Sequence, residues 1–151
     1  MFDLDPLIEF REHQMVKVMY KGVYNHVAMI FEKNNYHQPL CYGTNYLIDL
    51  EDNRSIHAEH DALLRLKRNE ARRRKKINIL VIRYTSQKEL STSKPCSFCL
   101  EKMKEIALQK GYRIKHIYYS GYRELIKNTF QSLYQDENKH IPKRDRPKSC
   151  H

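Results

Sequence analysis

Two short segments, His57-Ala58-Glu59 and Pro95-Cys96-Ser97-Phe98-Cys99, constrain the fold of this chain more than any other feature. The first segment offers an imidazole and a carboxylate two residues apart. The second offers two thiols one helical turn apart, just after a proline. Imidazole, thiolate and carboxylate groups bind zinc or work beside it as an acid or base. A fold that uses both segments together must bring two distant stretches of backbone to one place.

The first segment begins a predicted helix over residues 56–69. Ala62, Leu63 and Leu66 recur at helical spacing, and Glu59 falls on the same face. A carboxylate on the face that packs against the core is unusual, because charged side chains are mostly exposed. The pattern therefore predicts that Glu59 is buried.

The second segment begins a predicted helix over residues 97–110, which Gly111 ends. Pro95 suits the entry to this helix, because its missing N–H would have no partner in the first turn. Cys96 and Cys99 share a ridge with apolar residues further along the helix, so both thiols are predicted to face the core. A helix N-terminus also stabilises thiolates, which are the metal-binding form of cysteine.

The remaining pattern predicts the fold class. Helices are also predicted over residues 5–20 and 122–134, and strands over residues 27–31, 40–42, 77–82 and 114–119. The order α-β-β-α-β-α-β-α predicts a single α/β domain with a mixed central sheet and helices on its faces. This domain is predicted to span residues 1–134, with its core over about 23–134. A basic, flexible tail is predicted over residues 135–151.

The composition fits one domain with one core, since the chain has 151 residues, of which 40% are hydrophobic. Its first residues include acids and no apolar segment typical of signal peptides, and no apolar run reaches membrane-spanning length. We therefore expect a cytoplasmic or nuclear protein with no membrane partner. In such a reducing compartment, the spacing of Cys96 and Cys99 indicates metal binding rather than a disulfide.

The net charge of +10 is concentrated in two segments. Residues 65–76 carry +7 and residues 139–148 carry +4, so the rest of the chain is nearly neutral. Both segments are candidates for contact with RNA or single-stranded DNA, and a solvated helix end and turn is the alternative for the first. Residues 65–76 begin near the far end of the helix that carries His57, on the order of 18 Å from it. They are therefore not expected to line the metal site.

The candidate ligands indicate a reaction class. His57, Cys96 and Cys99 would leave one position on zinc for water, whose pKa zinc lowers to about 7. Glu59 would take the proton of that water and deliver it to a substrate nitrogen. Replacement of an aromatic amine by oxygen needs a nucleophile at carbon and protons for the ring nitrogen and the departing ammonia. The pattern therefore predicts hydrolytic deamination. His60 has no role in this pattern, and we expect it to make a local hydrogen bond rather than to bind the metal.

The H-x-E…P-C-x-x-C pattern is typical of zinc deaminases, and the chain resembles the cytidine deaminase-like superfamily, particularly its CMP/dCMP-type branch. The resemblance covers roughly residues 23–134. It implies zinc at His57, Cys96 and Cys99, with Glu59 as proton shuttle. It also implies assembly into a homo-oligomer.

The resemblance also suggests substrate contacts. Gly43-Thr44-Asn45 resembles the family's G-x-N turn, which implies that Asn45 contacts the sugar or base. The backbone of Ala58, together with Ser93 or Lys94, would line the base pocket by location. The leading hypothesis is a zinc-dependent hydrolase that deaminates an amino-pyrimidine nucleotide, cytosine to uracil in CMP or dCMP. The alternatives are an RNA or single-stranded DNA editing deaminase, and a catalytically inactive zinc-containing module that binds nucleic acid.

Overall fold

A computed structural model describes residues 26–36, 38–49, 54–84, 90–122 and 124–139. The elements in chain order are β1 (His26–Phe31), β2 (Cys41–Thr44), β3 (Tyr46–Asp49), β4 (Arg54–Ile56), α1 (Ala58–Arg65), β5 (Lys75–Tyr84), β6 (Leu90–Ser91), α2 (Ser97–Gln109), β7 (Tyr112–Ser120), β8 (Leu125–Thr129) and α3 (Phe130–Lys139). The predicted helix over residues 5–20 and the basic residues 140–148 lie outside the described residues. None of the described helices has both the length and the apolar character to cross a membrane.

The main sheet has the strand order β2-β1-β5-β7-β8, with the short β6 paired to the end of β5. Strands β5 and β7 are parallel and are connected through α2, whereas β1 and β8 run antiparallel to their neighbours. Strands β3 and β4 form a separate two-stranded sheet. The predicted strands over residues 27–31 and 40–42 correspond to β1 and β2, which pair antiparallel as a hairpin. The fold is thus the predicted single α/β domain with a mixed sheet.

One hydrophobic core joins the three helices to the same face of the sheet. Alternate residues of β1, β5 and β7 point into it, as the period of a strand requires. The sheet contributes Ala28, Ile30, Ile77, Ile79, Val81, Ile117 and Tyr119, and the helices contribute Ala62, Leu63, Leu100, Met103, Ala107, Phe130 and Leu133. These side chains are 6% exposed or less. Helix α1 therefore packs mainly on β1 and β2, and α2 packs on β7 and on α1.

The predicted helix over residues 122–134 is wrong in its first half. Residues Leu125–Thr129 form β8, and the helix begins at Phe130 and continues to Lys139, past the predicted start of the tail. Asn128 and Thr129 are poor helix formers, and β7 offers this stretch an open edge to pair with. The backbone hydrogen bonds of the resulting hairpin decide the outcome, and a helical count of apolar residues does not reveal them.

The predicted helix over residues 56–69 is also shorter, because α1 ends at Arg65. The basic loop that follows, residues 66–74, is not helical and forms hydrogen bonds with the turn between α2 and β7. The Asn69 side chain donates to the carbonyl of Gly111, and the Tyr112 hydroxyl donates to the carbonyl of Lys67. Gly111 has φ +86°, which glycine adopts without strain and which ends α2 as predicted.

Helix α1 lies directly on β2 with no side chain between them at Gly43. A Cβ built on Gly43 would overlap the Ala58 carbonyl oxygen and the Ala62 nitrogen, and would lie 2.8 Å from the Ala62 Cα. The sequence suggested a turn at Gly43-Thr44-Asn45, but Gly43 and Thr44 belong to the strand, where Gly43 pairs with Ala28. The glycine is required for close approach of two backbones rather than for a turn.

A buried carboxylate ties the same two elements together. Asp61 is 3% exposed, accepts the backbone N–H of Thr44 at 3.0 Å, and accepts the Arg65 Nε on both oxygens at 3.0 Å. The Arg65 side chain is 65% exposed, so water screens its part of the interaction. The bond to Thr44 is sheltered, and its loss would leave a backbone N–H without its partner.

We expect Asp61→Ala to lower the free energy of unfolding by about 1.5–3 kcal/mol, the usual range for a hydrogen bond to a charged group. Asp61→Asn should cost less, because its amide oxygen can still accept the Thr44 N–H. Arg65→Ala should cost no more than about 1 kcal/mol. Urea unfolding of the three variants tests this order, and equal midpoints for Asp61→Ala and the original chain would contradict it.

Candidate metal centre

The two motif segments meet at the carboxyl-terminal end of β5, where the N-termini of α1 and α2 point. His57 is the N-cap residue of α1 and Cys96 is the N-cap residue of α2, both in extended conformation. The Sγ of Cys96 caps α2 by accepting the backbone N–H of Cys99 at 3.5 Å. The candidate metal-binding groups therefore lie at the starts of the two helices, close to where the sequence predicted them. Packing of the two helices in the hydrophobic core brings these groups together.

Three of the four predicted groups form a compact cluster. The Nδ1 of His57, a carboxylate oxygen of Glu59 and the Sγ of Cys99 all lie within 4.8 Å of one another. The Cys99 Sγ is 3.2 Å from His57 Nδ1, and Glu59 Oε1 is 3.7 Å from the same nitrogen. A nitrogen and a sulfur on one tetrahedral zinc ion are separated by about 3.6 Å. The spacing of this cluster therefore fits a zinc ion after a shift of a few tenths of an ångström.

The fourth predicted group, Cys96, is disulfide-bonded in the structure. Among the described cysteines, Cys41 and Cys99 are the free thiols. A sulfur in a disulfide is not a thiolate, which is the form that binds metal. Cys96 can complete the predicted ligand set only when it is reduced, and its role as a ligand stays a prediction.

Burial and the neighbouring imidazoles shift the pKa of Glu59 in opposite directions. Burial raises the pKa of this carboxyl group, but the nearby His57 and His60 imidazoles more than offset that effect, so its pKa lies below the ordinary value. The side chain is 5% exposed, as its place on the apolar face of α1 predicted. The protein thus holds a buried carboxylate against two imidazoles.

The thiol of Cys99 behaves differently from the sequence expectation. Burial raises its pKa, and the negative charge of Glu59 raises it further, whereas the helix N-terminus was expected to lower it. Cys99 is 1% exposed, so the loss of water outweighs the dipole of α2. A coordinated metal cation deprotonates a thiol outright, so a bound metal would produce the thiolate that the helix dipole alone does not.

His60, in the first turn of α1, packs beside the cluster. The His60 ring stacks on that of His57, with 5.5 Å between ring centroids and 7° between planes. Its Nε2 lies 3.3 Å from the carbonyl oxygen of Cys99. The prediction of a local hydrogen bond for His60 is confirmed. Because this bond joins α1 to the first turn of α2, it helps to hold His57 and Cys99 at their separation.

A cavity of about 350 Å³ opens over the cluster. Its lining includes Asn45, Ser93 and Lys94, three residues that the sequence placed near a substrate. The Oδ1 of Asn45 accepts the backbone N–H of His26 at 3.0 Å, which orients the amide at the cavity wall. Ala58 lies behind this wall, with its side chain 1% exposed and its carbonyl oxygen against Gly43. Substrate contact by Asn45 or by the Ala58 backbone stays a prediction.

Sequence reasoning did not single out two polar residues of the cavity lining, His26 and Arg83. Burial lowers the pKa of His26 to about 4, and the positive charges of Arg83 and His57 lower it as well, against the opposing effect of Glu59. His26 begins β1, and nothing in the neighbouring sequence indicates a role in a site. Arg83 directly follows the apolar run at residues 77–82. Because ligands of α/β sheets bind at the carboxyl ends of strands, this position could have indicated a role for Arg83.

Two serines hold the segment that leads into α2. The Ser93 hydroxyl donates to the Val81 carbonyl at 2.8 Å and accepts the backbone N–H of Ser120 at 2.8 Å. The Ser120 side chain is fully buried and donates to the Ser91 carbonyl at 2.6 Å. This network joins the segment before Pro95 to the ends of β5 and β7. It therefore sets where the first turn of α2, with its two cysteines, meets α1.

No protein-family model, curated protein or solved structure matched this chain.

Proposed function

We propose that this protein is a zinc-dependent hydrolase that deaminates an amino-pyrimidine nucleotide, such as CMP or dCMP. The observation that carries the proposal is the cluster of His57 Nδ1, Glu59 Oε and Cys99 Sγ at the floor of a cavity. The H-x-E…P-C-x-x-C pattern and the resemblance to the cytidine deaminase-like superfamily point to the same chemistry. The mixed α/β domain is compatible with that resemblance.

His57, Cys99 and reduced Cys96 would hold the metal. One nitrogen and two sulfurs suit zinc, and three protein ligands leave a position open, as in catalytic rather than structural zinc sites. When bound, zinc supplies an acidified water and a Lewis acid. Helix α2 contributes the two sulfurs and helix α1 the imidazole, so the packing of α1 on α2 determines the distance between the ligands.

Glu59 would move the protons. Its carboxylate is buried beside His57, on the wall between the two helices and the cavity. In hydrolytic deamination, a bond forms between the water oxygen and the ring carbon, and the bond from that carbon to the exocyclic nitrogen breaks. Glu59 Oε would take one proton of the water and pass it to the ring nitrogen. It would then take the remaining proton from the hydroxyl group on that carbon and deliver it to the amino nitrogen, which leaves as ammonia.

The cavity supports a substrate of nucleotide size that carries negative charge. Its volume of about 350 Å³ lies near the lower end of the range for small-molecule sites. Arg83 and Lys94 are part of its lining and would face a phosphate, whereas Asn45 and Ser93 offer neutral hydrogen-bonding groups. A nucleoside lacks the phosphate group that these two cations would contact.

The test measures ammonia release and the ultraviolet spectrum of the base for purified protein loaded with zinc under a thiol reductant. The panel contains CMP, dCMP, cytidine, AMP, and single-stranded RNA and DNA oligonucleotides. We expect about one zinc per chain and turnover of CMP or dCMP, with cytidine much poorer. Zinc binding without deamination of any substrate in the panel would contradict the proposed reaction, and turnover of oligonucleotides alone would identify an editing enzyme.

Removal of zinc provides a separate check. We expect a strong chelator to abolish turnover and stoichiometric zinc to restore it under reductant. Oxidation that keeps Cys96 in a disulfide should weaken zinc binding, because only one thiolate then remains for the metal. Equal zinc affinity under oxidising and reducing conditions would exclude Cys96 from the ligand set.

A further inference from the structure

A second concave surface lies at the opposite end of the sheet from the cavity. It has a volume of about 560 Å³, and we call it the basic groove. Its lining contains six exposed cationic side chains: Lys33, Arg74, Lys75, Lys76, Lys115 and Lys127. Glu32 is the one carboxylate among the described residues that line it. The surface is therefore strongly electropositive and suited to a polyanion.

The basic groove is separate from the candidate metal centre in both position and direction. Strand β5 contributes Lys76 to the groove at one end and Arg83 to the cavity at the other, about 23 Å apart at the usual rise of a strand. Lys76 and Asn78 point to the face opposite Ile77, which packs against the helices. A ligand of the groove therefore does not compete with a substrate in the cavity.

The backbone that forms the groove contains a left-handed residue and a β-bulge. Lys33 has φ +51°, a left-handed conformation that is uncommon outside glycine, and its carbonyl accepts the Asn78 side chain at 2.7 Å. The other end of the same amide accepts the backbone N–H of His116 at 3.1 Å. The pairing of β5 with β7 shifts register between Ile77 and Asn78, which leaves Lys115 as an extra residue in a bulge. These features bring cations from three strands and a turn to one concave surface.

The width of the cationic surface selects the kind of anion. Lys33 follows β1 and Lys127 lies on β8, and three strand spacings of about 4.8 Å separate these two strands, or about 14 Å. This span exceeds a single phosphate group and can contact more than one phosphate of a nucleic-acid strand. Tyr118 at the base is 2% exposed, so the groove offers charge rather than an aromatic stacking surface.

We propose that the basic groove binds the phosphate backbone of a nucleic acid without sequence preference. Lysines are suited to this role because they contact phosphates as point charges and read no base. The sequence predicted this contact for residues 65–76 and 139–148. The groove takes only the last three residues of the first segment, and residues 140–148 lie outside the described residues. The other cations come from distant positions in the chain. The inference does not depend on the proposed reaction, because it involves no residue of the metal centre.

The test is fluorescence anisotropy of labelled oligouridine and oligothymidine titrated with the full chain at several salt concentrations. We expect affinity to fall steeply with salt, with a slope of about −0.7 for each phosphate contacted in a single strand. Lys76→Glu/Lys115→Glu should weaken binding at least about 10-fold and reduce the slope by about 1.4, since two phosphate contacts are lost. Circular dichroism and urea unfolding verify that each variant folds.

The matched control is Lys67→Glu/Arg68→Glu, which makes the same change in net charge in the basic loop but outside the groove lining. It should weaken binding by less than about threefold. Equal losses in both double variants would overturn the proposal, because net charge alone would then explain binding. Binding to vesicles containing phosphatidylserine that depends on the groove lysines, without binding to the oligonucleotides, would also overturn it. The readout needs no turnover, so its failure is distinct from failure of the deaminase proposal.

Discussion

Glu59→Gln is expected to retain zinc and to lose deaminase turnover by roughly 100- to 10,000-fold, the range that acid–base groups contribute. The amide has nearly the same shape and can still occupy the buried position beside His57. It cannot take a proton from water or deliver one to a nitrogen, so the binding site remains and the proton transfer is lost. The measurements are kcat on the best nucleotide of the panel and zinc content by elemental analysis.

Asp61→Asn is the matched control, because it makes the same carboxylate-to-amide change in a buried residue two positions along α1. Asp61 binds the Thr44 N–H and Arg65 and does not line the cavity, so turnover should stay within about threefold. The metal content of Glu59→Gln separates two roles for Glu59. Loss of zinc together with turnover would identify Glu59 as a ligand, and full activity would contradict the proton-shuttle assignment.

Gly43→Ala is expected to destabilise the protein by about 3 kcal/mol or more, a large fraction of the 5–15 kcal/mol that stabilises a typical domain. The added methyl group would overlap backbone atoms of Ala58 and Ala62. Backbone of a packed helix cannot rotate away as a side chain can, so α1 would have to move off β2. Because α1 carries His57 and Glu59, zinc affinity should fall in whatever fraction still folds.

The control for this effect is Gly121→Ala, a change of the same size at the end of β7. There the nearest atoms are Ile126 Cδ1 at 3.1 Å and Glu124 Cγ at 3.3 Å, both in side chains that can shift. Its cost should stay within about 1 kcal/mol. Urea unfolding of both variants measures the difference. Similar midpoints would show that α1 does not lie as close to β2 at Gly43 as the structure places it.

Local pattern was sufficient for most of the fold. The apolar run at residues 77–82 predicted β5, and Gly111 marked the end of α2, because both signals depend on neighbouring residues. The burial of Glu59 followed from its position on the apolar face of α1. The pattern failed at Leu125–Thr129, where pairing with β7 overrides helical spacing. Strand pairing involves residues that are not adjacent in sequence, so a local window does not contain it.

The sequence by itself determined the chemical groups of the candidate site, since residue types and helix starts are properties of short segments. Only the tertiary structure decided which groups meet. It brought Cys99 within 3.2 Å of His57, placed Cys96 in a disulfide, and raised the pKa of Cys99 through burial. It also gathered the basic groove from four separate parts of the chain. Distances and solvent exposure arise from packing between elements, and for that reason no single segment encodes them.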